Sequence, residues 1–577
     1  MSRIRFATAI ANRPRSGQSA GEAPFMPANA ALSPATRQRV VESLRQGKRY
    51  DVVVIGAGVT GAGVALDAAT RGLSVLLVDK QDLAFGTSRW SSKLAHGGLR
   101  YLATGNVGIA HRSARERGIL MEVTAPHLTH ALPQVVPVMD SFSVANRVLP
   151  RLAFIAGDAL RIAAGTSGST LPRSRTVSAA TVAKLCPAVP RDKVRFGYVN
   201  YDGQLIDDAA LVTALARTAA GYGADVLLHA NVDSVDTESG SVSLQVSGAK
   251  GEQESLTVHA EAIVNATGVW AGGLCPQVSV RPSRGTHLVV DAERLGNPTG
   301  ALTVPVPGAT NRFCFILPTQ LGRCYVGLTD EPAPTIEEEP TAPEEDVRWI
   351  LDVVNQALEV KLTEDDVIGT FAGLRPLVHF EKKGTSSTEA DDNESTADLS
   401  REHVILRDGA MLTVTGGKLT EYRLMAEQTV DQLVNDGMVR SVGTSVTATT
   451  PLVGARDDAL TTDEPVLHPA SSFTEAASSP AVRERLHRRY GNEATHVVSA
   501  CLLDHPLKPV AEGTDVTRAE FSWAVTHEGA MTVADILDRR TRLGLVPKQR
   551  AAAEATAKEA LEAARVLEED SVGEDAH

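Results

Sequence analysis

Cysteine is scarce in this sequence, and its few copies lie far apart. Five occur among 577 residues, namely Cys186, Cys275, Cys314, Cys324 and Cys501. Their number is odd and no two have CxxC spacing, which excludes an evenly paired disulfide framework and gives no sign of a thiolate metal site. The pattern is typical of reduced, packed cysteines, and we expect a cytoplasmic protein.

Long apolar runs and an excess of positive charge are missing as well. No run of about 18 apolar residues occurs, so the sequence predicts no membrane-spanning helix. The 57 Lys and Arg residues are outnumbered by 70 Asp and Glu residues, which gives a formal net charge of −13. Nucleic acid is therefore excluded as the main partner, and an anionic substrate would have to meet a local cluster of Arg and Lys.

The chain is organised around residues 51–102, and the first part of this stretch predicts a nucleotide-binding unit. A β-branched run at 51–55 predicts a buried parallel strand, an Ala-rich segment predicts a helix to about residue 71, and 74–78 predicts a second strand. Between the first strand and the helix, three glycines have G-x-G-x-x-G spacing: Gly56, Gly58 and Gly61. They allow a tight turn, close approach of the backbone to a pyrophosphate, and close packing of helix on strand.

The second predicted strand ends on an acid, Asp79, which lies 18 residues after the last glycine. A carboxylate there can accept both hydroxyls of an adenosine ribose, so the unit predicts dinucleotide binding. The acid alone does not separate FAD from NAD. No second glycine triplet of this kind follows, so the chain is not expected to take electrons from NAD(P)H through a second nucleotide domain.

The residues after Asp79 carry a family resemblance. Thr87 and Ser88, followed by SSKLAHGGLRYL at 91–102, closely resemble the signature of FAD-dependent glycerol-3-phosphate dehydrogenases, which belong to the D-amino-acid-oxidase-like flavoproteins. Further matching segments are VNATG at 264–268, SRGTHLVV at 283–290 and TVTGGKLT at 413–420, together with GLRPL at 373–377, which the resemblance implies to be an arginine-bearing loop. The resemblance extends over roughly residues 48–550.

The resemblance implies an α/β fold in which a Rossmann-like FAD-binding domain with a parallel sheet is interleaved with an antiparallel-sheet substrate domain. A helical C-terminal domain follows, whose arginines at 539–542 we expect to be solvated or to cap helices. The expected boundaries are a disordered tail and short helix at 1–48, an oxidoreductase region at 49–440, a linker at 441–475 and the helical domain with a charged tail at 476–577. Within the oxidoreductase region, FAD-binding segments are expected at about 49–135, 200–275 and 400–437, substrate-domain segments at about 136–199 and 276–399, and a mobile acidic insertion at 381–399.

The resemblance also implies which residues hold FAD. These are Gly56, Ala57, Gly58, Thr60, Gly61, Asp79, Thr87, Ser88, Ser92, Val232, Gly268, Gly417, Leu419 and Thr420. The Gly417–Lys418 pair is not a P-loop, because Leu412 stands where a P-loop requires its first glycine. We expect a strand and a glycine turn there, opening a helix whose N-terminus faces the flavin.

The implied activity is oxidation of sn-glycerol 3-phosphate to dihydroxyacetone phosphate, with electrons passed to a membrane quinone. Arg100, Arg375 and Lys418 supply the cations that a phosphate needs, and Tyr101 a further hydrogen bond. His287 is the expected base, with His96 as its rival. An oxidase that uses oxygen, or an amino-acid or amine oxidase on the same fold, remains as an alternative.

One predicted helix, residues 142–164, has an apolar stripe formed by Val148, Leu152, Ile155 and Ile162. Such a stripe indicates either a core-facing helix or an interfacial helix that rests on anionic lipid. Because quinone is lipid-soluble, we expect a peripheral protein on the inner face of the cell membrane. A homodimer is left open as an assembly.

Overall fold

The computed structural model describes residues 30–103, 105–139, 144–248, 251–308, 312–379, 402–455 and 479–574. The expected tail before residue 30, the insertion predicted at 381–399 and most of the linker predicted at 441–475 lie outside these residues. The short helix predicted near residues 35–48 is present at Pro34–Arg45, where Ser33 caps it by accepting a hydrogen bond from the N–H of Thr36.

The strands and helices of the described residues are numbered in chain order. The strands are β1 (Tyr50–Ile55), β2 (Val75–Val78), β3 (Leu94–Ala95), β4 (Thr129–Met139), β5 (Arg175–Ser178), β6 (Val194–Leu205), β7 (Asp225–Leu227), β8 (Ala230–Asp236), β9 (Ser241–Ser247), β10 (Gln253–Asn265), β11 (Ser279–Asp291), β12 (Ala301–Pro305), β13 (Phe313–Thr319), β14 (Arg323–Gly327), β15 (Glu331–Pro332), β16 (Val367–His379), β17 (Val404–Asp408) and β18 (Met411–Thr415). The α-helices are α1 (Pro34–Arg45), α2 (Val59–Thr70), α3 (Leu99–Ala103), α4 (Val107–Ile119), α5 (Val144–Ala163), α6 (Ala179–Leu185), α7 (Asp208–Gly221), α8 (Glu344–Val354), α9 (Tyr422–Asn435), α10 (Pro480–Tyr490), α11 (Ala494–Ser499), α12 (Arg518–Thr526) and α13 (Pro547–Glu574).

The first sheet is built around the glycine-rich unit. Its parallel strands lie in the order β18, β10, β1, β2, β7, with β17 antiparallel at one edge and β8 and β9 forming a meander with β10. Val52, Val53 and Val54 of β1 are fully buried. Apolar clusters cover both faces of the sheet, and β1 therefore has a continuous rather than an alternating apolar pattern.

The second sheet has ten strands and is antiparallel at every pairing except β12 with β4. Its main path is β15, β11, β14, β13, β12, β4, β6, β3, with β16 paired to β11 and β5 paired to β6. The chain visits the two sheets alternately: 50–78, 225–265 and 404–415 belong to the first, and 94–205 and 279–379 to the second. The predicted α/β fold with interleaved parallel and antiparallel domains is confirmed.

One local expectation about the second sheet is wrong. The GLRPL segment, predicted as a loop, lies inside strand β16, which pairs with β11 along its length. Proline 376 is tolerated there because the strand lies at the edge of the sheet next to β11. The strand fixes Arg375 on a rigid wall rather than on a mobile loop.

Helix α5 does not bury its apolar stripe, so a wholly core-facing helix is excluded. Its inner side packs Phe154 and Leu160, which are 7% and 8% exposed. The outer stripe stays in solvent, with Leu152 57% and Ile155 48% exposed. Within the described residues, no helix combines the length and the apolar content needed to cross a bilayer.

The C-terminal helices form their own core, and the segments between them also contact helix α7 and strand β16. Ala553, Ala557 and Ala560 of α13 pack on Phe521 of α12. The segment Asp535–Arg540 and the turn that follows it carry arginines that are buried, so the expectation of solvated or capping arginines is wrong. Arg539, Arg540 and Arg542 are 4%, 0% and 0% exposed, because they are paired with groups of the nucleotide-binding half of the molecule.

Candidate active site

A large cavity of about 1800 Å³ lies between the two sheets. Ile55, Val78 and Thr415 line it at the carboxyl ends of β1, β2 and β18, which is where open parallel sheets bind ligands. The opposite wall is one face of the antiparallel sheet. A pocket for one drug-sized ligand has about 300–1000 Å³, so this cavity has room for a large cofactor and a second molecule.

The three glycines at the start of α2 have the roles that their spacing predicts. Gly56 has a φ of +101°, and a Cβ there would lie 2.7 Å from the carbonyl oxygen of Ala266. A Cβ on Gly61 would lie 1.8 Å from the carbonyl oxygen of Gly56, so only glycine permits this packing of helix on strand. Gly58 is the N-cap of α2 and borders the cavity. The backbone can therefore approach a pyrophosphate closely at the helix N-terminus.

Asp79 is oriented by two backbone donors. Its carboxylate accepts the N–H of Ala57 at 2.7 Å and the N–H of Gln81 at 2.8 Å. Burial raises the pKa of Asp79 to about 6, which the two backbone hydrogen bonds oppose. Each oxygen keeps a second lone pair, so the carboxylate can still accept the two ribose hydroxyls of a dinucleotide.

Most residues expected to hold FAD line this single cavity. They are Gly56, Gly58, Thr60, Asp79, Thr87, Ser88, Ser92, Val232, Gly268, Gly417, Leu419 and Thr420. Ala57 and Gly61 lie behind this lining, where Ala57 orients Asp79 and Gly61 allows the helix to pack. Ser88 also accepts the N–H of Val59 at 2.9 Å, so the 87–92 segment closes over the start of α2. The residues present thus fit FAD.

The sheet wall of the cavity is shaped by two facing glycines. Gly285 of β11 pairs with Gly373 of β16. A Cβ at Gly285 would lie 2.2 Å from the guanidinium of Arg375, and a Cβ at Gly373 would lie 2.4 Å from Cβ of Trp90. Glycine at both positions leaves the space in which Arg375 and Trp90 lie against the wall.

His287 lies on this wall and is almost fully enclosed. Its ring is 2% exposed and stacks on Phe371 at a centroid distance of 4.7 Å, and its Nε2 lies 2.9 Å from Oγ of Ser92. Burial, with Lys93 and Arg375 nearby, lowers the pKa of His287 to about 3. Its Nδ1 has no hydrogen-bond partner among the residues that the structure describes. His287 is therefore a neutral imidazole near pH 7.

His96 has a different environment. Its side chain is 52% exposed and lines the cavity, and its Nδ1 lies 3.2 Å from a carboxylate oxygen of Asp202. Asp202 also accepts from Arg117 at 2.7 Å. Burial acts against ionisation of Asp202, but Arg117 and His96 outweigh it and hold its pKa below the usual range. A carboxylate on Nδ1 leaves Nε2 as the acceptor of the neutral ring.

Two of the three expected phosphate-binding cations line the cavity, each anchored by a carboxylate. Lys418 Nζ lies 3.9 Å from the ring centroid of Tyr101, with Glu421 at 3.3 Å. Arg375 Nη1 lies 2.9 Å from Asp330, with its side chain 24% exposed. Arg100 belongs to helix α3, but its side chain is outside the part of the chain that the structure describes.

Sequence reasoning missed the groups that orient these side chains. Asp202 and Asp330 meet their partners only through the fold, whereas Glu421 follows Lys418 by three residues in the chain. Trp90 could have been found, because it immediately precedes the matched SSKL motif and lines the cavity. The expected residues thus form the surface of the site, and the missed residues form its support.

A glycine turn at the edge of a parallel sheet, an acid just after the second strand and a shared cavity with an antiparallel wall are features of an FAD-dependent oxidoreductase. The comparisons agree with this class. A family model described as FAD dependent oxidoreductase matches residues 51–388, and one described as the C-terminal domain of alpha-glycerophosphate oxidase matches residues 445–569.

Similar proteins narrow the class further. Glycerol-3-phosphate dehydrogenase 1 of Mycobacterium tuberculosis is 50% identical over 93% of this chain and 99% of its own length. Glycerol-3-phosphate dehydrogenase of Mycobacterium leprae is 34% identical over 89% of this chain and 84% of its own. The solved FAD complex of the Bacillus halodurans glycerol-3-phosphate dehydrogenase has a TM-score of 0.66 at 25% identity, covering 93% of this chain and 97% of the other. The chain belongs to the FAD-dependent glycerol-3-phosphate dehydrogenase family, and its cofactor is FAD.

The glycine turn yields the first prediction. Gly58→Val is expected to abolish FAD binding, because a Cβ there already lies 3.1 Å from Oγ of Ser88 and the added methyl groups occupy the pyrophosphate side. Visible flavin absorbance per chain after purification measures this. Gly108→Val is the control, because no atom lies within 4 Å of a Cβ at that position. A Gly58→Val protein with full flavin content would contradict the assignment.

Proposed function

We propose that this enzyme oxidises sn-glycerol 3-phosphate at its secondary alcohol to dihydroxyacetone phosphate and passes the electrons to a membrane quinone. One observation supports the substrate assignment: the same cavity contains two cations, each anchored by a carboxylate, and a histidine that is bound to a carboxylate. The names of the curated relatives support the same substrate. An amino-acid substrate needs essentially one arginine for its carboxylate, so Arg375 together with Lys418 favours a phosphate.

The phosphate group would lie between Arg375 and Lys418. Asp330 and Glu421 orient these cations, whose guanidinium and ammonium groups carry five and three N–H donors. Tyr101 covers one side of Lys418 and so limits the directions in which Nζ can donate. The dianion thus meets two cations whose positions are already fixed.

We propose His96 rather than His287 as the base that takes the hydroxyl proton. A proton on Nε2 of His96 is stabilised by the carboxylate of Asp202 on the other ring nitrogen. His287 is buried beside Lys93 and Arg375, which oppose a further positive charge. His287 instead packs on Phe371 and bonds Ser92, so it holds the wall against which the substrate carbon rests.

The reaction balances with one cofactor and one base. FAD, when bound, supplies the two-electron acceptor for the hydride that leaves C2 of the substrate. His96 takes the hydroxyl proton, and the C2–O bond becomes a carbonyl. Trp90, Phe371 and Tyr325 form an aromatic layer behind His287 that keeps water from that side of the wall.

The assignment of the base is tested by two matched substitutions. His96→Asn is expected to slow anaerobic flavin reduction by glycerol 3-phosphate about 100-fold or more, the usual contribution of a positioned base. Asp202→Asn should also slow it, because the ring loses its orienting carboxylate. His287→Asn should have the smaller effect on this rate. Stopped-flow bleaching of the flavin measures all three, and the reverse order would assign the base to His287.

The phosphate site is tested at Arg375. Arg375→Ala is expected to raise KM for glycerol 3-phosphate about 10- to 100-fold, since a charge-assisted hydrogen bond contributes about 1.5–3 kcal/mol. Activity on free glycerol, which has no phosphate, should be poor and little changed. Arg294→Ala is the control, because Arg294 pairs with Asp366 outside the cavity. Equal losses on both substrates would make Arg375 a structural residue.

We propose helix α5 as the contact with the membrane, on the cytoplasmic face. Its exposed stripe consists of Val148, Leu149, Leu152, Ile155 and Ile162. The same helix borders the cavity through Leu149, Pro150, Ala153, Phe154 and Ala156. A lipid-soluble acceptor held at this helix would therefore be next to the cavity. The exposed Arg115 on the adjoining α4 favours an anionic surface.

The membrane proposal predicts a separation of two activities. Leu152→Asp with Ile155→Asp is expected to release the protein from anionic vesicles, because each inserted side chain contributes about 1.5–3 kcal/mol. Quinone reduction should fall while flavin bleaching by substrate persists. The control pair is Val566→Asp with Leu567→Asp, which are 44% and 54% exposed on α13. Loss of FAD in the α5 variant would show that the stripe is needed for folding instead.

The competing acceptor is molecular oxygen. A steady-state oxygen-electrode assay with glycerol 3-phosphate, run with and without a water-soluble quinone, separates the two. Rapid oxygen consumption that quinone does not suppress would make the protein an oxidase and overturn the quinone proposal, while leaving the substrate assignment intact.

A further inference from the structure

Residues 79–93, which we name the cofactor loop, have two faces. One face lines the cavity and consists of Asp79, Lys80, Gln81, Phe85, Gly86, Thr87, Ser88, Trp90, Ser91 and Ser92. The other face carries Asp82, Arg89 and Lys93, which are 0%, 1% and 0% exposed. Charged side chains are almost never buried to this degree without partners, so these three side chains must be paired with charged or polar groups.

The partners of Asp82 come from the C-terminal domain. Arg540 donates to both carboxylate oxygens, at 2.7 and 2.8 Å, and Arg539 Nε donates to one of them at 2.5 Å. Arg540 also donates to the carbonyl oxygen of Glu528 at 2.7 Å, and Arg539 is paired with Asp535. The bidentate guanidinium of Arg540 and the single hydrogen bond from Arg539 together fix the position of Asp82.

A second contact holds the other end of the loop. Arg542 Nη2 donates to the carbonyl oxygen of Arg89 at 2.8 Å, and Lys93 Nζ donates to the same carbonyl at 2.9 Å. Lys93 is in turn bound to Asp208 at 2.9 Å. The neighbouring Asp207 is paired with Arg489 of helix α10 at 3.1 Å.

A third contact lies next to the ribose-binding acid. Asp535 lies 3.2 Å from Nε2 of His229. The N–H of His229 donates to the carbonyl of Gln81 at 2.8 Å, and the N–H of Ala230 donates to the carbonyl of Asp79 at 2.8 Å. The C-terminal domain thus contacts the cofactor loop directly at Asp82 and Arg89, and near Asp79 through His229.

We propose that Arg539, Arg540 and Arg542 make the C-terminal domain the positioning element of the FAD site. None of these arginines lines the cavity, and they act by fixing the loop that carries Asp79, Thr87 and Ser88. Binding free energies are reciprocal, so FAD must stabilise the contact between the C-terminal domain and the loop by the factor by which that contact strengthens FAD binding.

The test compares two buried arginines of the C-terminal domain, one paired across to the cofactor loop and one paired within the domain. Arg540→Lys keeps the charge but loses the fork on Asp82. Arg485→Lys makes the same change to a pair with Glu520, at 3.0 Å, that lies away from the cofactor loop. Each protein is stripped of FAD, its Tm is measured without FAD, and its FAD dissociation constant is then measured by flavin fluorescence well below that temperature.

The expected result is a rise of about tenfold or more in the FAD dissociation constant for Arg540→Lys, within the usual range of coupling between sites. Arg485→Lys should change it less than about twofold while lowering the Tm of the FAD-free protein comparably. An unchanged dissociation constant in Arg540→Lys, or an equal rise in both variants, would reduce the arginines to general structural residues and overturn the proposal.

If Arg540→Lys does not fold, a measurement on the unaltered protein tests the linkage between the C-terminal domain and FAD binding. Amide hydrogen exchange is recorded with and without FAD over residues 528–546, none of which lines the cavity. Slower exchange of these amides on FAD addition supports the linkage, and identical exchange overturns it. All of these readouts concern FAD and folding alone, so they stand whichever substrate or electron acceptor the enzyme uses.

Discussion

The buried carboxylate of Asp82 is the constraint on which the rest of the arrangement depends. It follows β2 by four residues, at the sheet edge where the cofactor site begins. Removing one partner from a buried ion pair costs about 3–5 kcal/mol, because the remaining charge is left without compensation. A loop with such a group on its inner face therefore has one favourable position. The charge contributes less to net stability than to fixing which conformation of the loop is stable.

At the sheet wall, the space for neighbouring groups depends on positions that have no side chain. Gly285 and Gly373 face each other across β11 and β16, and the gap they leave is filled by Arg375 and Trp90. Because both strands are held by a continuous antiparallel ladder, Arg375 projects from a rigid surface. Binding groups held on rigid elements lose little entropy when a ligand arrives.

The nucleotide unit could be predicted from sequence, and the supporting network could not. Strand, glycine turn, helix and terminal acid lie within 30 residues, so local periodicity and spacing are enough to place Asp79. The partners of the site side chains are far apart in sequence: Asp82 and Arg540 are 458 residues apart, and His96 and Asp202 are 106 apart. No periodic pattern marks such a pair, because it depends on how the two sheets and the C-terminal helices are assembled. For the same reason, the sequence pattern does not predict that the arginines at 539–542 are buried.

The two histidines show how burial and partners separate side chains of one type. The motifs make both histidines candidates for the base, because a motif gives the position of a ring in the chain and no information about its surroundings. His287 is enclosed by aromatic rings and faces Lys93 and Arg375, so a positive charge there is opposed from several sides. His96 is open to the cavity and has the carboxylate of Asp202 next to its Nδ1. A base must be stable in both protonation states during turnover, and only the second environment provides for the charged one.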